Sequence, residues 1–131
     1  MKRMDMRNLL MLSLIGVVLL AGCSSSQSNQ AASVNPTGVK HEIEITSAGF
    51  SPGHLDIGLG DTLVFVNKDT APHWPASDVH PTHCEYKGCG VFDARRGLTQ
   101  GESYSMVFDL AGNWCYHDHL NPGLTGCVTV Q

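Results

Sequence analysis

The stretch TLVFVN at residues 62–67 decides the fold class, because its apolar and β-branched residues suit a strand at the centre of a sheet. On its N-terminal side, residues 43–45 and 55–59 alternate at a period of two, as half-buried strands do. Further strands are expected at residues 103–108, 113–117 and 127–130. No stretch of the domain shows the apolar period of 3.6 that an amphipathic helix requires. The sequence therefore predicts an all-β protein, an antiparallel sandwich or small barrel of six to eight strands.

The composition narrows the function classes. The chain has 131 residues, enough for one small domain. Its 8 Lys and Arg residues against 12 Asp and Glu residues give a net charge of −4, which argues against nucleic-acid binding because that function needs a basic face. The content of 15% charged and 42% hydrophobic residues excludes a disordered acidic tail and a coiled coil. The seven histidines and five cysteines are unusual, and the question of function rests on them.

The N-terminal residues have the pattern of an export signal. Basic residues among the first seven precede an apolar run at 9–20 that is too short to span a bilayer. Residues 20–23, Leu-Ala-Gly-Cys, resemble the lipobox of bacterial lipoproteins. The resemblance implies that residues 1–22 are a lipoprotein signal peptide. It also implies that Cys23 carries the lipid that anchors the protein to a membrane, facing the periplasm or the cell exterior.

The rest of the chain divides into a linker and one domain. Residues 23–40 hold almost nothing that could be buried, so beyond the lipidated cysteine they are expected to form a flexible linker. The β domain is expected at residues 41–131. Inside it, about thirty residues between Asn67 and Thr99 carry several histidines and cysteines, and loops of that length are usually functional.

Removal of Cys23 from the count leaves Cys84, Cys89, Cys115 and Cys127. An even number of cysteines in an exported protein favours two disulfides, because the compartment is oxidising. Cys84 and Cys89 are only five positions apart, and a disulfide between them would close the tip of the long loop. Four cysteines allow three connectivities, so this pairing is a preference among them.

The domain resembles the cupredoxin family in both halves. In the first half the matching residues are Phe50-Ser51-Pro52, Ile57, Gly60-Asp61-Thr62, Phe65, Asn67 and Ala71-Pro72-His73. In the second half, the residues that match the ligand loop of the amicyanin and plastocyanin type are Gly112, Trp114, Tyr116, His117, Gly126 and Val128. The resemblance covers residues 41–131. It implies a Greek-key β-sandwich that binds copper, with His73 as the first ligand.

The other ligands of a blue-copper site do not carry over. Asp118 stands at the position of the copper-binding cysteine, Asn121 at that of the second histidine, and Leu124 at that of the axial methionine. The short copper–thiolate bond that defines a type 1 site is therefore missing. Cys115 lies three residues before Asp118, an odd offset that directs it to the opposite face of a strand. In the hairpin that the resemblance implies, Cys115 lies opposite Cys127 and would form the second disulfide with it.

Residues 114–119, WCYHDH, also resemble the W-Y-H-x-H segment of multicopper oxidases, in which both histidines bind copper. That family needs several domains to assemble its cluster, so the resemblance implies copper affinity and not oxidase chemistry. Imidazole suits copper and zinc, and a carboxylate adds an oxygen donor. The candidate ligands are His73, Asp118 and His119, with His80 and His83 from the long loop above them and His117 as an outward-facing histidine. His41 and His54 are interpreted as surface residues.

The sequence thus predicts an exported, lipid-anchored copper-binding protein whose site uses His and Asp ligands without a thiolate. Copper is the expected cofactor and zinc the second candidate. Copper sequestration or delivery suits such a site, with a copper donor or acceptor protein as partner. No enzymatic activity is expected, because no nucleophile–base pair is readable. Two alternatives stay open: a blue-copper electron-transfer protein, and a metal-free interaction module of the cupredoxin fold.

Overall fold

A computed structural model describes residues 34–131, and these residues form eight β-strands. The strands are β1 (Lys40–Thr46), β2 (Gly49–Ser51), β3 (His54–Ile57), β4 (Thr62–Asn67), β5 (Pro75–Ser77), β6 (Ser103–Val107), β7 (Gly112–Asp118) and β8 (Asn121–Val130). They make two four-stranded sheets, with the strand orders β2-β1-β4-β6 and β3-β8-β7-β5. The predicted all-β sandwich is confirmed.

The described residues begin inside the predicted linker. Thr37 is tied to the domain, since its N–H donates to Gly60 O at 3.0 Å and its hydroxyl donates to Asp61 Oδ1 at 2.5 Å. The predicted signal peptide and Cys23 lie outside the described residues. Within residues 34–131, no helix has the length and hydropathy needed to cross a membrane.

Two strand pairs in residues 34–131 are parallel, which the expectation of an antiparallel sandwich did not include. β1 pairs with β4 and β3 pairs with β8 in parallel. Parallel neighbours need a crossover connection. The chain supplies it by passing from β2 in the first sheet to β3 in the second sheet and back to β4 in the first. A period of two in the sequence identifies a strand but not the sheet that it joins.

The core lies between the sheets and is largely aromatic. The Phe65 ring contacts Tyr116 edge-on at 5.1 Å between centroids and lies 5.5 Å from Phe92. The Tyr116 ring covers Gly126 on the neighbouring strand, where a Cβ atom would come within 2.6 Å of it. A glycine at this position therefore lets the buried tyrosine lie flat against β8. Asn67 ends β4 inside the protein, donating from Nδ2 to the carbonyls of Ala71 and Leu98 at 2.8 Å.

The β7–β8 hairpin supports the site. Cys115 lies opposite Cys127 in this hairpin and forms a disulfide with it, as expected from the sequence. The ladder is regular up to His117, and a register shift then brings Asp118 opposite Asn121. The turn of the hairpin is therefore tight, and β8 begins earlier than the pattern at residues 127–130 indicated.

Candidate metal centre

A hydrogen-bonded pair occupies the interior end of the sandwich, where the family resemblance places the first copper ligand. His73 Nδ1 donates to Asp118 Oδ2 at 2.7 Å, and His73 Nε2 donates to Asp69 Oδ2 at 3.1 Å. The side chains of His73 and Asp118 are only 6% and 1% exposed. Carboxylates therefore engage both ring nitrogens of His73.

The charges of this interior group agree with its hydrogen bonds. Burial lowers the pKa of His73, but the hydrogen bonds with Asp118 and Asp69 outweigh it, so the pKa lies above the ordinary histidine value. The hydrogen bond with His73 in turn lowers the pKa of Asp69. The second oxygen of Asp118 accepts the backbone N–H groups of Trp74 and Leu120 at 2.8 and 3.1 Å. The two acidic partners thus favour the protonated form of His73 at the interior position.

His117 lies on the other face of β7. Tyr116 packs into the core, so the next residue along the strand points out of the sandwich. His117 is nevertheless only 1% exposed, because the segment after β5 folds back over it. In that segment Asp78 N donates to Cys115 O at 3.1 Å, and Asp78 Oδ1 accepts the Nδ1–H of His117 at 2.8 Å. His117 Nε2 is buried and has no hydrogen-bond partner among residues 34–131.

His119 reaches the same outer face from the turn after β7. Its backbone N–H donates to Trp74 O at 2.7 Å, and its ring lies against the Trp74 indole with centroids 4.3 Å apart. Trp74 Nε1 donates to Asp93 Oδ1 at 2.6 Å, which fixes the indole. Burial raises the pKa of Asp93, but the hydrogen bonds from His83 and Trp74 lower it by more. The pKa therefore lies below the ordinary aspartate value, and the carboxyl group is ionised.

The loop after β5 brings two further histidines over this face. Val79 O accepts the backbone N–H of His83 at 2.8 Å, which curls the loop. The Cys84–Cys89 disulfide, expected from the spacing of the two cysteines, closes the loop directly afterwards. His80 is exposed and His83 is buried. The loop thus presents one histidine to solvent and one to the protein.

Four histidine rings meet as a result, and we call His80, His83, His117 and His119 the histidine cluster. The His80 ring lies 5.2 Å from that of His117 and 4.8 Å from that of His119, between centroids. His83 Nδ1 donates to Asp93 Oδ2 at 2.8 Å, and His83 Nε2 lies 2.9 Å from His119 Nδ1. The cluster is built from the end of β7 and the loop after β5.

Three members of the cluster fit a metal ion. One ring nitrogen each from His80, His117 and His119 lie within 4.8 Å of one another, and among residues 34–131 this is the one group of three such donors. Imidazole nitrogen suits copper and zinc. The unpartnered Nε2 of His117 fits a ligand atom, because a buried polar atom without a partner is otherwise costly. The four cysteines within residues 34–131 are disulfide-bonded, so none of them offers a free thiol to the cluster.

The structure divides the six ligands predicted from the sequence into two sets. It brings His80, His117 and His119 together and joins His83 to them by a hydrogen bond. It places His73 and Asp118 in the interior pair, outside the group of three donors. The two histidines interpreted as surface residues lie elsewhere, His41 against Asp61 and His54 against Asp56.

Sequence reasoning missed the carboxylates that hold these histidines. Asp78 bonds His117, Asp93 bonds His83, and Asp69 bonds His73. Only Asp69 had a local signal, because it lies four residues before its histidine. Asp78 and His117 are 39 positions apart, and the pairing of β5 with β7 brings them together.

Similarity to individual proteins shows the family of the chain. No protein-family model matches it. The plastocyanin of Scenedesmus fuscus is 31% identical over 84 residues, which cover 63% of this chain and 86% of that protein. The chain belongs to the cupredoxin superfamily and is similar to plastocyanins and amicyanins.

Solved cupredoxin structures agree with this assignment. A purple cupredoxin from Nitrosopumilus maritimus has a TM-score of 0.59 and 26% identity, covering 69% of this chain and 98% of that one. An oxidised amicyanin variant has a TM-score of 0.61 and 22% identity, covering 75% of this chain and 86% of that one. The two-sheet sandwich of this chain is thus a cupredoxin fold, as the sequence resemblance implied.

Proposed function

We propose that this cupredoxin is a copper-binding protein whose ligands are His80, His117 and His119. The observation that carries the proposal is the grouping of their three ring nitrogens within 4.8 Å of one another. Copper is favoured by the family, since related amicyanins were solved with Cu(I). It is also favoured over zinc by the general order of divalent-metal affinities at nitrogen sites. The bound ion would supply an imidazole-rich centre without a copper–thiolate bond.

The three proposed ligands differ in how firmly the protein holds them. His117 offers a buried nitrogen from the end of β7, and His119 is packed against Trp74 beside it. His80 comes from an exposed position on the loop. A ligand from another protein could replace His80 without unfolding the sandwich. This asymmetry supports sequestration or delivery of copper, with a copper donor or acceptor protein as the partner.

Electron transfer at a blue-copper site is the function that the family resemblance alone implies. It requires a thiolate ligand. Both Cys84 and Cys115 are held in disulfides, and Asp118 at the position of the family cysteine is bonded to His73. We therefore favour copper binding over electron transfer, and over a metal-free interaction module because of the unpartnered His117 nitrogen.

We also propose that the protein is exported and anchored to a membrane by a lipid on Cys23. The lipobox-like residues 20–23 support the anchor. The two disulfides support export, because paired cysteines are typical of oxidising compartments. Replacement of Cys23 by Ala should move the protein from the membrane fraction to the soluble fraction. Unchanged partitioning would contradict the anchor.

Visible and EPR spectra of the copper-loaded protein test the site. We expect one Cu(II) per chain, a weak d–d band and a wide copper hyperfine splitting, as a nitrogen and oxygen ligand set produces. The His54→Ala variant is the control and should give the same spectra, since His54 is exposed and bonds Asp56. An intense visible charge-transfer band would instead indicate a thiolate ligand and favour the electron-transfer alternative.

A further inference from the structure

We propose that Asp78 and Asp93 are the positioning residues of the histidine site. Asp78 orients His117 directly, and Asp93 orients His119 through His83, so that both ligand rings present Nε2 to the metal. The inference rests on the proposed copper site and goes beyond it, because it assigns each ring a tautomer. It also makes His83 a relay between Asp93 and His119 and not a ligand.

Asp78 contacts its ligand ring, His117, by a direct hydrogen bond. Asp78 Oδ1 lies 2.8 Å from His117 Nδ1, and a carboxylate can only accept, so the ring proton is on Nδ1. Nε2 of the neutral ring then carries a lone pair. That atom is buried and unpartnered among the described residues. A carboxylate that fixes one nitrogen of a metal-binding histidine is a recurring arrangement in proteins, and it aims the other nitrogen at the metal.

Asp93 reaches its ligand ring, His119, through one further residue, His83. Asp93 Oδ1 accepts the N–H groups of Trp74 and Arg95 at 2.6 and 2.7 Å, so Oδ2 is left for His83 Nδ1 at 2.8 Å. His83 Nδ1 therefore carries a proton. In that neutral tautomer His83 Nε2 can only accept, so it takes the Nδ1–H of His119 across the 2.9 Å between the two nitrogens. The lone pair of His119 is then on Nε2.

The burial of the cluster makes His83 a poor ligand and a good relay. Its ring is 5% exposed, and both of its nitrogens have partners within the protein. The Trp74 indole, itself bonded to Asp93, packs on His119 and limits the rotation of that ring. Asp93 thus fixes His119 in two ways, through the His83 imidazole and through the indole.

The Asp93→Asn variant tests the path from Asp93 to His119 with little change in the shape of the side chain. The amide oxygen stays with Trp74 and Arg95, so the NH₂ group faces His83 Nδ1 and must donate to it. The proton of His83 then moves to Nε2, and the proton of His119 moves to its own Nε2. We expect copper affinity to fall by about 10- to 100-fold, as losses of such outer partners do.

Long-range ¹H–¹⁵N NMR of the metal-free full-length protein reads the tautomers directly, and a competition titration with Cu(II) measures the affinity. In the wild-type protein both His117 and His119 should carry the proton on Nδ1. Asp93→Asn should change the tautomer of His119 and leave that of His117. Asp78→Ala removes the acceptor of the His117 Nδ1–H, so it should release the tautomer of His117 and leave that of His119. This crossed pattern would not arise from a general loss of stability. The Asp56→Asn variant removes a carboxylate from an exposed histidine pair and should change neither.

The outcomes separate the two proposals. A proton on Nε2 of either ligand ring in the wild-type protein, or an Asp93→Asn affinity within twofold of wild type, would overturn the positioning role. If the wild-type protein shows the expected tautomers but does not bind Cu(II), the copper function fails while the hydrogen-bonded orientation of the rings stands.

Discussion

The two faces at the end of β7 carry the same residue types and use them differently. On the inner face, His73 and Asp118 satisfy each other, and Asp69 takes the remaining nitrogen of the histidine. On the outer face, Asp78 takes one nitrogen of His117 and leaves the other buried and unpartnered among the described residues. On the inner face both histidine nitrogens have hydrogen-bond partners, whereas on the outer face one histidine nitrogen is left that could bind a metal.

In the function proposed here, copper binds away from the position that the family alignment gives to its first ligand. Asp118, at the position of the family cysteine, places an acceptor beside His73, and the two side chains pair with each other. A donor set assembles instead where His117 and the loop after β5 meet. Variants that change one face at a time test this difference.

The largest effect is expected on the inner face. The His73→Ala variant leaves the buried Asp118 carboxylate without its charged partner, and the loss of one partner of a buried pair costs about 3–5 kcal/mol of unfolding free energy. Urea denaturation followed by tryptophan fluorescence measures it. Copper affinity should stay near the wild-type value. A variant of normal stability that had lost copper binding would return the ligand role to His73.

The next effect is expected on the outer face. The His117→Ala variant removes the buried donor, and we expect copper affinity to fall by more than about 100-fold, or ~2.8 kcal/mol, because loss of a ligand exceeds the effect of losing an outer partner. Calorimetric titration with Cu(II) measures it. The His41→Ala variant is the matched control, since His41 bonds Asp61 outside the cluster. Equal affinity in both variants would contradict the assignment of the site.

The two disulfides extend the comparison from the strand to the loop. Cys84→Ser with Cys89→Ser removes the bond that closes the histidine loop and should cost about 2 kcal/mol of stability. It should also weaken copper binding by about tenfold if only a tenth of the loops keep the binding conformation. Cys115→Ser with Cys127→Ser should cost about 3 kcal/mol but leave affinity unchanged, because the β7–β8 ladder holds these strands. Thermal denaturation and Cu(II) titration on both double variants measure the contrast.

The sequence predicts the fold well where local pattern decides it. The alternation at residues 43–45 identifies β1, and the apolar, β-branched residues 62–67 identify β4. The family resemblance adds the hairpin in which Cys115 lies opposite Cys127. The local pattern does not predict the parallel pairing of β1 with β4, because that depends on which sheet each strand joins.

The site is predicted as a list of histidines and not as an arrangement. The resemblance to the cupredoxin ligand loop implies that His117 faces away from the position of Asp118. What it cannot supply is the path of the loop after β5, which long-range contacts determine. One of these is the bridge of Ala76 with Asp93, which brings the carboxylate partner of His83 to this edge of the sheet.

The smallest effect concerns an exposed pair, and it measures how much the burial of the inner face matters. Glu102 accepts two hydrogen bonds from Arg96, at 2.7 and 3.0 Å, and two from Thr99, and these lower its pKa to about 2. A lowered pKa in the folded state stabilises the fold above the ordinary glutamate pKa, and this stabilisation is lost as the pH falls towards about 2. Because the pair is in water, screening keeps its contribution to stability small. Titration of the Glu102 carboxyl carbon by NMR should give the low pKa in the wild-type protein and a higher one in Arg96→Ala, with nearly equal urea midpoints for the two at neutral pH. A loss of stability in Arg96→Ala as large as that in His73→Ala would mean that burial does not distinguish the inner pair from an ordinary surface pair.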